Sequence, residues 1–130
     1  MYQKTTNAIT VSVSPMYLDD QSSPEEEHYV WAYHVCIHNN STEPVKLHNR
    51  YWRITDSFGR TQEVRGIGVV GEQPVIPPGC AFEYTSGTPL EAPSGIMMGS
   101  YGMLNAHGDA FDIEIPPFSL DSPYQPMSVQ

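Results

Sequence analysis

The residues from Gly66 to Gly71 read G-x-G-x-x-G, a glycine pattern that carries phosphate chemistry in dinucleotide-binding folds. In those folds the glycines let a backbone turn approach a pyrophosphate at the start of a helix. Here several prolines follow from Pro74 onwards, so no helix can open after the motif and a dinucleotide fold is excluded. Two interpretations remain open. The loop presents backbone N–H groups to an anion beside Arg65, or its glycines serve bulges and turns between two strands.

A basic segment leads into this loop. Residues 46–65 hold five of the six basic residues and two acidic ones, a net charge of +3, whereas the whole chain carries −9. Such a segment can bind an anion or a protein partner, or its arginines can pair with acidic residues on neighbouring strands. The candidate anion or nucleotide site consists of Arg65, Gly66, Gly68, Gly71 and Arg50. The candidate interaction face, in which an aromatic lies beside arginines, consists of Lys46, Arg50, Trp52, Arg53 and Arg60.

Other reactive side chains do not form a recognisable site. His34, Cys36 and His38 share one face of their predicted strand, but at about 3.3 Å per residue the two histidines lie roughly 13 Å apart and cannot bind one ion. The chain has no sequence motif of an activated serine or of a zinc-bound nucleophile. We therefore expect no catalytic residue, no metal and no cofactor, and we expect Cys36 and Cys80 to be buried free thiols.

The elements that must position these residues are strands. The chain of 130 residues holds 26 Val, Ile and Thr but only 11 Ala and Leu, a composition that favours sheet over long helices. Ile9, Val11 and Val13 alternate with polar residues, which is typical of a half-buried strand. Residues 28–38 are largely apolar on both faces and predict a central strand of a sandwich.

The rest of the chain supplies further strands and their turns. Residues 45–56 and 60–64 predict a hairpin, 80–86 a single strand, and 96–104 with 109–115 a closing hairpin. The fold class is therefore all-β, a seven-to-eight-stranded antiparallel β-sandwich of the fibronectin type III or immunoglobulin-like kind. We expect a single domain over residues 1–130, with an ordered core at about 7–120 and a flexible C-terminal tail at 121–130.

Composition also limits the partners and the compartment. The net charge of −9 opposes binding to nucleic acid and to acidic membranes, and no apolar run reaches the ~18 residues that span a bilayer. The opening residues show no continuous apolar stretch typical of a secretory signal, so we expect a cytoplasmic protein. The exposed edges of a sandwich allow a monomer or a weak homodimer.

Several blocks of this sequence, taken together, resemble one protein family. They include YVWAYHVCIHN at 29–39, RYWRITDSFGR at 50–60, VRGIGVVGEQP at 64–74 and FEYTSGTPL at 82–90. The family is ApaG, also called CorD, and the likeness extends over nearly the whole chain. The resemblance implies a small fibronectin type III-like sandwich in the bacterial cytoplasm. It also implies a link to cobalt resistance and magnesium efflux, and a gene neighbourhood tied to diadenosine tetraphosphate hydrolysis.

The resemblance also bears on function. Related domains in eukaryotic F-box proteins look like protein-interaction modules, and the family has no established enzymatic activity to carry over. Its glycine motif falls on Gly66, Gly68 and Gly71 and has been interpreted as a pyrophosphate contact, but Ile67 stands where relatives often have an acidic residue. The first hypothesis is a non-catalytic ApaG-type interaction domain with an unknown protein partner. The alternative is a phosphate, pyrophosphate or nucleotide binder, and a nucleotide hydrolase is the weakest of the three.

Overall fold

Nine strands and two single turns of 3₁₀ helix make up the part of the chain that the computed structural model describes, residues 1–124. The helical turns are Asp19–Gln21 and Pro24–Glu26. Residues 125–130, which make up most of the tail expected to be flexible, lie outside the described residues. The strands are β1 (Tyr2–Thr6), β2 (Ile9–Tyr17), β3 (Tyr29–Asn39), β4 (Val45–Asp56), β5 (Thr61–Ile67), β6 (Val75–Ile76), β7 (Ala81–Leu90), β8 (Ser94–Leu104) and β9 (Ala110–Asp121).

The strands form two antiparallel sheets that enclose one core. One sheet has the order β1-β2-β3-β7 and the other has the order β5-β4-β8-β9, with the short β6 paired to the start of β4. Between the sheets, the ring of Trp52 packs against Tyr33, Tyr101 and Phe118, with centroids 5.2 to 6.3 Å apart. The antiparallel β-sandwich predicted from the sequence is therefore confirmed.

β3 is the central strand that its apolar sequence predicts. It lies between β2 and β7, and its alternate residues from Tyr29 to Ile37 are all buried. Each large apolar side chain buried in this way stabilises the fold by about 1.5–3 kcal/mol. Trp31, only 1% exposed, also donates its indole N–H to the carbonyl of Asp121 at 2.8 Å. This bond joins the centre of one sheet to the end of β9 in the other.

A β-bulge at His48 decides which side of β4 faces the core. The register of β4 against β8 shifts directly after Leu47, which is buried. Beyond the bulge Trp52 is buried and Arg53 is exposed. Strict alternation from Leu47 would have turned Arg53 inward and Trp52 outward, because strand side chains alternate with a period of two. The extra residue therefore places Arg50 and Trp52 on the inner face.

Three strands continue well beyond the C-terminal ends that the sequence predicts. β5 continues to Ile67, β7 to Leu90, and β9 to Asp121 through Pro116 and Pro117. β9 is an edge strand, so half of its N–H groups have no partner strand to bond, and proline can replace such a group at little cost. The pairing of β9 with β8 also has a bulge at this point, which releases the prolines from the regular ladder.

The sequence also gives no clear signal for β1. The link between β1 and β2 is a two-residue turn at Asn7 and Ala8, both with positive φ, at 49° and 64°. Such type I′ geometry is usually indicated in a sequence by Asn-Gly. Here the second residue is alanine, so the usual signal is missing. Within residues 1–124, β1 and the two-residue β6 bring the strand count above the predicted seven to eight.

Candidate functional site

The glycine motif lies where an edge strand is interrupted. β5 pairs with β4 up to Asn49, and β6 pairs with β4 again at Val45 and Lys46, so the two short strands follow one line along the same edge. Residues 68–74, here called the glycine loop, leave and rejoin that line. The amide of Gly68 donates to the carbonyl of His48 at 2.8 Å, so the loop leaves the sheet opposite the β4 bulge.

Within the glycine loop the chain makes a tight hairpin turn. Val69 and Glu72 exchange two backbone hydrogen bonds of 2.8 Å, and between them Val70 and Gly71 have φ values of 43° and 81°. Positive φ at both central positions is type I′ geometry, which favours glycine. Gly68 also has a positive φ of 68°, and a Cβ there would lie 2.3 Å from the carbonyl oxygen of Glu72. The turn interpretation therefore accounts for Gly68 and Gly71.

The side chain of Arg50 lies on the inner face of β4 and binds the glycine loop from that side. Its Nη1 donates to the carbonyl of Gly68 at 2.8 Å and to that of Ile67 at 3.3 Å. The guanidinium lies over Gly66, where a Cβ would be 2.7 Å from three of its atoms. The first glycine of the motif therefore makes room for this arginine.

Buried phenols lie near Arg50. The hydroxyl groups of Tyr84 and Tyr101 share a hydrogen bond in the core. Burial raises the pKa of both phenols and that of Tyr33, while the charge of Arg50 acts on all three in the opposite direction. These tyrosines therefore stay neutral at physiological pH, and none is poised to act as an acid or base there.

Arg65 lies on the opposite face of the same sheet. Its guanidinium stacks over the ring of Tyr51, 4.6 Å from the centroid, and its Nη2 lies 3.6 Å from the carboxylate of Glu63. Tyr51 donates its hydroxyl to the same carboxylate at 2.6 Å, and this hydrogen bond raises the pKa of Tyr51. The guanidinium groups of Arg50 and Arg65 therefore lie on opposite faces of the sheet, although both residues line one shallow depression beside Gly66.

The residues of the predicted interaction face are divided as well. Trp52 is buried in the core and Arg50 turns inward. Arg60 lies in the β4–β5 turn, where it binds the carboxylates of Asp56 at 2.7 Å and Glu91 at 3.5 Å. Lys46 and Arg53 alone of this set point away from the core along β4. The interpretation of the arginines as partners of nearby acids thus holds for Arg60 and Arg65.

Lys46 and Arg53 belong to a surface that we call the outer face, the side of the β5-β4-β8-β9 sheet turned away from the core. The apolar members of this face could not be predicted, because the run IMM at 96–98 gives no sign of which residues are exposed. Ile96 is 48% exposed and Met98 38% exposed, and Met98 lies directly opposite Arg53 in the ladder. The outer face comprises Lys46, Asn49, Tyr51, Arg53 and Thr55 of β4, Glu63, Arg65 and Ile67 of β5, and Ile96, Met98 and Ser100 of β8.

Comparison with known proteins assigns the family. A family model described as "ApaG domain" matches residues 19–105, more than half of the chain. The chain belongs to the ApaG family. It is 62% identical over 124 residues to the protein ApaG of Rhodospirillum centenum, across 95% of each chain, and 62% identical over 125 residues to that of Paramagnetospirillum magneticum, across 96% of each. It is also similar to a solved Bordetella pertussis structure bearing the name ApaA, with a TM-score of 0.86 and 47% identity, over 90% of this chain and 95% of that one.

The resemblance seen in the sequence is thus confirmed as membership of the ApaG family. The names of these ApaG relatives state no reaction. Among residues 1–124, no helix has the length and apolarity needed to cross a membrane, and no three His, Cys, Asp or Glu side chains are grouped to hold a metal ion.

The histidine and thiol positions of this ApaG chain have ordinary surroundings. His34 lies in solvent and hydrogen-bonds Thr85 and Glu83, both at 2.8 Å. Cys36 is partly buried and Cys80 is exposed, so the expectation of two buried thiols was wrong. Cys80 stands just before the first residue of β7, outside the alternation that buries strand residues, which explains its exposure.

Proposed function

We propose that the chain is a non-catalytic interaction domain that binds an acidic segment of a partner protein on its outer face. The observation that carries this proposal is the position of Lys46 and Arg53. Both lie on the outer face, and no carboxylate of residues 1–124 is within ion-pair distance of either. In a chain of net charge −9, two cations left unpaired on one surface are available to a negatively charged partner.

The composition around these cations supports the same function. Met98 and Ile96 are exposed beside Arg53, and the stacked pair of Tyr51 and Arg65 lies in the next row of the ladder. Methionine, tyrosine and arginine are the residues enriched in protein interfaces, where a buried apolar centre is surrounded by polar contacts. The outer face therefore combines charge complementarity with apolar area.

We propose that this domain acts in the cytoplasm. Cys36 and Cys80 are both free, and Cys80 is exposed, which supports a reducing compartment. The link to cobalt resistance and magnesium efflux that family resemblance implies would then be exerted through the bound partner rather than by a reaction at this domain.

A photo-crosslinking residue placed at Met98 tests the proposal in cells that make the chain. The matched control carries the same residue at Ser14, which is exposed on the other sheet. We expect a discrete crosslinked protein from position 98, absent from position 14 and lost when Arg53→Glu is added. Equal crosslinking from both positions, or a product insensitive to Arg53→Glu, would overturn the proposal.

A second candidate function, binding of pyrophosphate or a nucleotide, is favoured by one observation. A shallow depression of about 450 Å³ on the outer face is lined by Arg65, the backbone of Gly66, Asn49 and Ser100. These groups suit a phosphate, although the carboxylate of Asp112 lines the same depression and opposes an anion.

An amide NMR titration distinguishes the two functions. The labelled chain is titrated with pyrophosphate, ATP and diadenosine tetraphosphate, with and without magnesium. Saturable shifts around Arg65 and Gly66 that disappear in Arg65→Glu would establish the second function. No shift at millimolar ligand would reject it and leave the interaction domain.

A further inference from the structure

We propose that two copies of this chain associate edge to edge through β5, in antiparallel pairing with a two-fold axis opposite Val64. This association does not rest on the docking function proposed above, although Glu63, Arg65 and Ile67 also belong to the outer face. β5 is the last strand of its sheet, and all its residues are exposed except Gly66, which is partly buried. An edge strand of this kind has backbone groups free to pair with another chain.

The other edges of the sandwich carry features that discourage pairing. β1 is short and carries Lys4, β7 contains Gly87 and Pro89, and β9 contains the Pro116-Pro117 pair. Proline, lysine and short length are the usual protections of edge strands. β5 has seven residues with neither proline nor lysine, so it is the edge left open among the described strands.

The hydrogen bonds at the two ends of β5 show which of its backbone groups are free. The carbonyl of Arg60 accepts from Asp56, and the amide of Gly68 donates to His48, so both of these residues face β4. The register between them has no shift, and alternate residues of an antiparallel edge strand face opposite ways. The odd-numbered residues, from Thr61 to Ile67, therefore point their N–H and C=O groups away from β4.

The charges on β5 select one register. With the axis opposite Val64, Glu63 of each copy lies opposite Arg65 of the other, and both residues belong to the outward-pointing set. An axis opposite Glu63 or Arg65 would place like charges face to face, which destabilises a strand pair. An axis between two residues would place each residue whose N–H and C=O point away from β4 opposite a residue whose groups point towards its own β4. No ladder of hydrogen bonds could then form between the two copies. Among the registers that pair outward groups with each other, the axis opposite Val64 is the one that keeps all seven residues of β5 in the ladder and places Glu63 opposite Arg65.

Exposed apolar side chains lie at both ends of the strand. Phe58 is 66% exposed just before β5, and Ile67 and Val70 are 71% and 55% exposed at its other end. Antiparallel pairing brings the start of one copy beside the end of the other, so the end of one chain that carries Phe58 lies beside the end of its partner that carries Ile67 and Val70. Val64, 37% exposed, lies beside its own copy at the axis. The paired sheets would then join into one surface of eight long strands.

Sedimentation velocity of the full chain over a range of concentrations tests the proposal. We expect a reversible dimer, weakened about tenfold or more by Glu63→Arg or by Arg65→Glu, since each change places like charges opposite each other twice. The double variant should regain the dimer. A mixture of the two single variants should form a one-to-one heterodimer, because every opposed pair in it is of opposite charge. Lys4→Glu, on a different edge, is the control and should not alter the association.

Amide hydrogen exchange supplies a second measurement. Exchange at Glu63 and Arg65 should slow as the concentration rises, whereas Val64 and Gly66, already bonded to β4, should not change. A wild-type chain that stays monomeric at millimolar concentration would overturn the proposal. So would a mixture of single variants that does not associate, or a control variant as impaired as Glu63→Arg.

Discussion

Arg50 and Gly66 face each other across the β4–β5 ladder, and the guanidinium of the arginine lies against the backbone of the glycine. The absence of a side chain at position 66 lets Arg50 pass over the strand and reach the carbonyl of Gly68 at 2.8 Å. The first glycine of the motif therefore has a packing role within the chain, which can be measured separately from any ligand.

Gly66→Ala should displace Arg50. A Cβ would lie 2.7 Å from the guanidinium, so the flexible arginine must move and lose its bonds to the glycine loop. We expect a loss of about 1–2 kcal/mol in the free energy of unfolding, measured by urea denaturation. Arg50→Met removes the same bonds, so the double variant should cost less than the sum of the two single variants. Additive costs would show that the contact has no energetic role.

Gly68→Ala and Gly71→Ala should differ although both glycines have positive φ. The Cβ at 68 would lie 2.3 Å from the backbone oxygen of Glu72, whereas the Cβ at 71 has no atom within 4 Å. Gly71→Ala should therefore cost only the strain of the left-handed conformation, about 1–2 kcal/mol, and Gly68→Ala clearly more. Thermal melting of the two variants measures the difference, and equal melting temperatures would contradict it.

Val70→Asn should stabilise the chain. Val70 is a β-branched residue held at a φ of 43°, a conformation that such residues rarely adopt, and it is 55% exposed. Asn-Gly is the favoured pair for a type I′ turn, so the change should add up to about 1 kcal/mol. Chemical denaturation measures the gain. A loss of stability would mean that the exposed valine makes contacts that outweigh the strain.

Tyr84→Phe should make the chain less sensitive to alkaline pH. Burial raises the folded-state pKa of Tyr84 above its unfolded value near 10, so its contribution to stability is complete below pH 10 and is lost as the pH rises towards the folded pKa. The variant leaves the hydroxyl of Tyr101 without its partner, so it should be about 1–3 kcal/mol less stable at neutral pH. Urea denaturation between pH 8 and 11 should show a shallower decline in the variant; parallel curves would contradict this.

Asp56→Asn should lose stability at neutral pH but not in acid. Burial acts to raise the pKa of the Asp56 carboxyl, but hydrogen bonds from the amides of Arg60 and Phe58 and the Arg60 guanidinium outweigh it, and the pKa is lowered. A lowered folded-state pKa means that the contribution is present above the ordinary value near 4 and is lost as the pH falls below it. Melting temperatures of the two proteins should converge between pH 7 and pH 2. A gap that stays constant with pH would contradict this.

The strands of the fold were largely predictable because their side chains alternate, as in β3, where burial follows the apolar face from Tyr29 to Ile37. The predictions were wrong mainly about where strands begin and end. The strand predicted over residues 109–115 stops before Pro116 and Pro117, but these prolines lie on an edge where a missing N–H costs little. Ala8 hid a type I′ turn because its positive φ is set by the pairing of β1 with β2 rather than by its own preference.

The candidate sites were less predictable than the fold. The basic segment was visible in the sequence, but the side of the sheet that each cation occupies depends on the bulge at His48. The sequence grouped Arg50 with Arg65 because both belong to the basic segment that leads into the glycine motif. In the ladder, however, Arg65 pairs with Tyr51, the neighbour of Arg50 on β4, and neighbouring residues of a strand point to opposite faces. The exposure of Ile96 and Met98 follows from pairing with β4, which local sequence does not contain.

The bulge at His48 also predicts how ApaG chains can differ in length. Removing one residue there would leave β4 paired but turn every later side chain over, with Trp52 in water and Arg53 in the core. A change of length at this point would therefore exchange the buried and exposed faces of the strand over all the residues that follow it. Insertions and deletions there should therefore be nearly absent from functional members of the family.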